Sequence, residues 1–68
     1  MPVYVVIVQE YDDSTIVAAG TDREVLLPLA DAALAGLRES YPRQSSSDWI
    51  GVSIQTWENG EFVGQEFL

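Results

Sequence analysis

The chain has 68 residues, 47% of them apolar, and sets eleven acids against three arginines, with no cysteine, histidine or lysine and a formal charge of −8. That length makes one domain, residues 1–68, which buries only about 60% of the surface its unfolded form exposes. The composition excludes disulfides, imidazole- or thiolate-held metals, Cys-His and Ser-His-Asp catalysis and lysine Schiff bases, and the charge argues against direct binding of nucleic acid or anionic membranes.

Residues 3 to 8, VYVVIV, are β-branched or aromatic throughout and predict a strand. One phase carries Val3, Val5 and Ile7, the other Tyr4, Val6, Val8 and then Glu10. Both phases are apolar, as expected of a central strand. No basic segment precedes this run and no small-residue cleavage site follows it. No apolar run approaches the ~18 residues of a membrane span. A soluble cytoplasmic protein with no membrane association is therefore expected.

YDDS, residues 11 to 14, has the composition of a turn, and TIVAA, 15 to 19, returns as a second strand. Glu10, Asp12 and Asp13 form the densest acidic group near this turn. Only a hard, oxygen-liganded cation would suit them, but the segment has neither the acidic ladder nor the glycine bend of a calcium loop. A solvated hairpin tip is expected, with no metal and no cofactor.

Thr21 and Glu24 match a capping box after Gly20. Leu26, Leu29, Ala30, Ala33, Leu37 and Tyr41 then fall in one stripe at helical spacing. Pro28 interrupts this pattern, because it offers no N–H to the carbonyl four residues back. The expected arrangement is a short first turn, then a main helix from about Pro28 to Ser40, ended by Pro42. RQSSSD, 43 to 48, reads as a polar link.

WIGVSIQTW, 49 to 57, alternates: Ile50, Val52 and Ile54 on one face, Trp49, Gly51, Ser53, Gln55 and Trp57 on the other. Asn59-Gly60 is a strong type I′ hairpin signal, and EFVGQEFL supplies a fourth strand. The fold class expected is α+β: a four-stranded antiparallel sheet in β-β-α-β-β order, arranged spatially 2-1-3-4, with one helix on one face. Glu58, Glu61 and Glu66 flank the second hairpin, and with the two tips at opposite ends of the sheet or diagonal to each other the acids should be spread, not focused.

One helix covers one face. The expected helix side is Val5, Ile7, Ile50, Val52 and Ile54, with Ile16 and Ala18. The other face would then expose Tyr4, Val6, Val8, Trp49, Trp57, Val63 and Phe67, or Phe62 in place of the last two. Aromatic and branched surface on that scale marks an interaction site.

The pattern YVVIVQEYDDSTIVAAGTDRE, then a helix, then VSIQTWE, resembles a group of small uncharacterised bacterial and phage proteins. These open with an aromatic-rich strand, an acidic turn, a second strand and an S/T-x-x-E helix start. The resemblance implies the fold and no activity. The expected function is a small acidic, non-enzymatic protein-interaction module. It would modulate or inhibit a basic-surfaced protein, in the manner of phage anti-defence proteins or nucleic-acid mimics. The alternative is a structural or regulatory homodimer. The partner is thus a protein, self or foreign, with a homodimer expected.

Overall fold

Branched side chains pack better on a pleated surface than in a helix, where they lose rotamer freedom. Val3–Val8 accordingly lies in one of the two inner strands of a four-stranded sheet. The computed structural model describes residues 1–41 and 50–68. Its elements are β1 (Val3–Glu10), β2 (Asp13–Gly20), α1 (Arg23–Ser40), β3 (Ile50–Glu58) and β4 (Glu61–Phe67). The strand order is β2-β1-β3-β4, every neighbouring pair is antiparallel, and α1 packs on one side of the sheet. This is the α+β architecture and strand order that the sequence pattern predicts. The slab measures 38 × 22 × 15 Å.

Both hairpins turn in two residues. Asn59 (φ 54°) and Gly60 (φ 80°) are both left-handed, the requirement of a type I′ turn, and Glu58 pairs with Glu61 across its mouth. At the other tip Glu10 pairs with Asp13. There the positive φ falls on Tyr11, at 56°, a conformation uncommon for an aromatic residue. Because β3 runs antiparallel to β1, with Glu10 opposite Ile50 and Val3 opposite Trp57, the two tips lie at opposite ends of the sheet.

The helix departs from expectation in three respects. It runs unbroken from Arg23 to Ser40 with Pro28 inside it, where a start near Pro28 was expected. Pro28 sits in the second turn and is exposed, so the N–H it fails to offer the Glu24 carbonyl is missing on the helix's outer side. The N-cap is Asp22, whose carboxylate accepts from the Glu24 N–H at 3.0 Å, in place of the Thr21–Glu24 box. The C-terminus closes as expected at Ser40, with the Tyr41 N–H donating to the Leu37 carbonyl at 2.8 Å. Leu26, Ala30 and Leu37 are buried and Leu27, Ala33, Leu34 and Tyr41 pack beside them. Leu29, placed in the stripe by spacing, is instead half-exposed on the outer surface.

The core under the helix consists of Val6, Val8, Ile50, Val52 and Ile54 from the sheet and Leu26, Ala30 and Leu37 from α1, with Tyr4 and Ala18 packed against it. Ile50, Val52 and Ile54 face the helix as expected. On β1 the phase is inverted: Tyr4, Val6 and Val8 lie beneath α1, and Val5 and Ile7 lie on the far side. The cause is register. Residues directly opposite in an antiparallel ladder share a face, and Val6 stands opposite Ile54 and Val8 opposite Val52. A one-residue slip would have exchanged the two phases. Both phases of β1 are apolar, so only the partner strand selects between them.

The edge strands each contain a register shift. On β2, Val6 pairs with Ala18 but Ile7 pairs with Ile16, leaving Val17 as an extra residue. On β4, Thr56 pairs with Gly64 but Trp57 pairs with Phe62, leaving Val63 extra. Each shift has the signature of a β-bulge, which twists an edge and discourages continued pairing.

Candidate protein-interaction face

The ladder registers define the side of the sheet turned away from α1. It carries Val3, Val5, Ile7 and Gln9 from β1, and Gly51, Ser53, Gln55 and Trp57 from β3. β2 adds Ser14, Ile16 and Ala19, and β4 adds Phe62, Gln65 and Phe67. No described element covers it. The bulges decide two of these placements. Plain alternation would keep Ile16 with Ala18 under the helix; the extra Val17 sends Ile16 to the open side, where it is 67% exposed. The extra Val63 likewise brings Phe62 onto the same face as Phe67, so both phenylalanines are present where one or the other was expected.

The middle of the face is tied together by its own polar groups. The Trp57 indole Nε1–H donates to Gln55 Oε1 at 3.0 Å, and Gln65 Nε2–H donates to Ser53 Oγ at 2.8 Å. Ser53 is 4% exposed and so finds its partner within the face. Trp57 and Phe62 meet edge to face, ring centroids 5.6 Å apart at 68°, a geometry worth about 0.5–1.5 kcal/mol beyond area burial. Trp57 is thereby held half-buried and oriented.

Of the residues expected on this face, Trp57 and Phe67 are there. Tyr4, Val6 and Val8 are not: they belong to the core under α1. Val63 is the extra residue of the β4 register shift, and Trp49 lies outside the described residues. Val3, Val5, Ile7 and Ile16 take the places of the misassigned ones, and Phe62, the expected alternative on β4, is present beside Phe67. No sequence signal separated the β1 phases, since each ends in a polar residue, Gln9 in one and Glu10 in the other.

The acids are distributed quite differently. Glu10, Asp12, Asp13, Glu58, Glu61 and Glu66 are all exposed, three near each hairpin or its flanking strand. Among the described residues no three acids gather into a group that could hold a metal ion. Glu66, opposite Ile54, is on the helix side and forms an ion pair with Arg23 at the start of α1. Glu10, opposite Ile50, accepts a hydrogen bond from the Tyr41 hydroxyl at 2.9 Å. Tyr41 also meets the Tyr11 ring edge-on at 6.0 Å. The Glu10 carboxylate raises the Tyr41 phenol above its ordinary value, first by accepting its proton in a hydrogen bond, then with help from desolvation and charge. These acids fasten the helix to the sheet at its two ends, and together with Asp22, Glu24, Asp31 and Glu39 they leave the open face without a single ionisable carboxylate among the described residues.

Compared with protein-family models, curated proteins and solved structures, the chain matches none. No helix among the described residues is long and apolar enough to cross a membrane.

Proposed function

We propose that this chain is a small, acidic, non-enzymatic protein-interaction module that works through the sheet face turned away from α1. The observation carrying the reading is the composition of that face: branched and aromatic side chains around a polar centre linked by two hydrogen bonds of its own. Apolar patches of this kind on small proteins are interaction sites, and an oriented tryptophan is a typical anchor. The chemistry left to a chain without Cys, His or Lys is that of its carboxylates. The described ones stand apart at the two ends of the sheet and along the helix.

Site-specific photo-cross-linking tests the reading, with benzoylphenylalanine replacing Phe67 on the open face or Leu29 on the outer helix surface. Adducts to protein, of this chain or another, are expected from position 67 and not from position 29. Adducts from position 29 alone would point to the helix and sink the proposal.

A second reading, modulation of a basic-surfaced protein, rests on the exposed acids of the hairpin tips and helix. It calls for contacts on the helix side or the ends of the slab. Such adducts should disappear as salt screens the attraction, whereas those made by an apolar face persist.

A further inference from the structure

We propose that the occupant of the open face is a second copy of this chain, packed sheet on sheet about a two-fold axis. The inference rests on the interaction-face reading above and names its partner. Charge is the first argument. The molecule carries −8, yet every described acid lies on the helix, at a turn, or on the helix side of the sheet. Arg23 and Arg38 are on α1. The open face therefore holds no charged side chain among the described residues. A surface built for a basic partner would present its acids there. A surface meant to meet its own like-charged copy has to exclude them, because like charges face to face repel. Among the described residues, this is the broad face on which two such molecules can meet without setting acid against acid.

The polar centre fits the same occupant. A two-fold contact uses the same patch on both partners, so the patch must be self-complementary. Burying polar groups is costly when their partners are lost. Here the Trp57 Nε1–H and one Gln65 Nε2–H already donate to Gln55 and Ser53 within one chain, so burial leaves fewer donors in need of an acceptor across the interface.

Size and stability point the same way. Four strands about 4.8 Å apart and roughly eight residues long at about 3.3 Å each span a face on the order of 500 Å². Two copies would bury on the order of 1,000 Å², where specific interfaces begin. Among the described residues only eight apolar ones are buried on the helix side, and the sequence has no cysteine to add a disulfide. Small domains with so limited a core commonly gain the missing burial by association. Both register shifts in the edge strands deliver an apolar side chain, Ile16 or Phe62, to this face.

Sedimentation velocity across a wide concentration range tests the proposal, with wild type, Ile16→Glu, Ile7→Glu and, as control, Leu29→Glu. Ile16 is exposed on an edge strand, so its variant should fold even if the more central Ile7→Glu does not; circular dichroism checks this. The expected result is a monomer–dimer equilibrium that strengthens with salt. Ile16→Glu should weaken it about tenfold or more, by burying an unpaired carboxylate, and Leu29→Glu should leave it unchanged. A dimer broken by Leu29→Glu but not by Ile16→Glu would overturn the proposal. So would a wild-type monomer at every concentration. In that last case cross-links from position 67 to another protein would preserve the interaction-face reading, and their absence would remove both.

Discussion

Among the described residues, Tyr41 is one whose ionisation is coupled to the fold. Its hydroxyl donates to Glu10 across the gap between the end of α1 and the end of β1, and its proton is held above the ordinary tyrosine value. A group whose folded value is raised contributes stability that is complete below its unfolded value. That stability is lost as pH climbs through the folded one. Stability should therefore fall in the alkaline range above about pH 10, where tyrosine normally titrates, as a phenolate comes to face a carboxylate. Urea denaturation of wild type and Tyr41→Phe at neutral and alkaline pH checks this: the variant should show the smaller alkaline loss. At the opposite tip, Gly60 occupies φ 80° with open space where a Cβ would go. The cost of Gly60→Ala is thus backbone strain without a clash, about 1 kcal/mol. A loss well beyond that, measured by the same denaturation, would mean that the turn tolerates less than its exposure implies. Asn59-Gly60 was legible in the sequence because the turn type dictates those residues. The left-handed Tyr11 was not, since nothing about tyrosine favours that conformation.

The helix is continuous because its apolar stripe outweighs its proline. Leu26, Ala30 and Leu37 are buried against the sheet, at about 1.5–3 kcal/mol for a fully buried leucine, on both sides of Pro28. A proline inside a helix costs about 3 kcal/mol relative to alanine, partly through a lost hydrogen bond. Starting the helix at Pro28 would forfeit the packing of Leu26 and the Asp22 cap. Pro28→Ala should accordingly restore a bond to the Glu24 carbonyl and raise stability by about 1 kcal/mol or more; thermal unfolding followed by circular dichroism measures it. An unchanged or lower melting temperature would show that restriction of the unfolded chain by proline matters more. The element boundaries were readable from caps, turn residues and periodicity, within the error that Pro28 introduced. The register shifts in β2 and β4 were not. A bulge adds one residue without changing composition, and Val17 and Val63 look like any strand valine.

The whole molecule is a thin slab whose two faces differ in electrical character. The helix side and the two ends carry the described acids, and the open side carries none. Much of the net charge is thus crowded onto one side within a few Debye lengths, and self-repulsion opposes the compact state. Thermal unfolding at increasing sodium chloride should show a rising midpoint as the repulsion is screened. A falling midpoint would mean that attractive contacts such as the Arg23–Glu66 ion pair dominate instead. By itself the sequence determined the element order, the antiparallel 2-1-3-4 sheet, the single helix and the spreading of the acids. Strand alternation, turn chemistry and the shortness of the connections allow few other arrangements. It also pointed to one apolar face that no described element covers, because a single helix covers only one side. Which residues form that face was decided by tertiary structure alone. Side-chain direction in a strand has period two, so it depends on inter-strand register and on each inserted residue. β1 is apolar in both phases and contains no information about which one its neighbours turn inward.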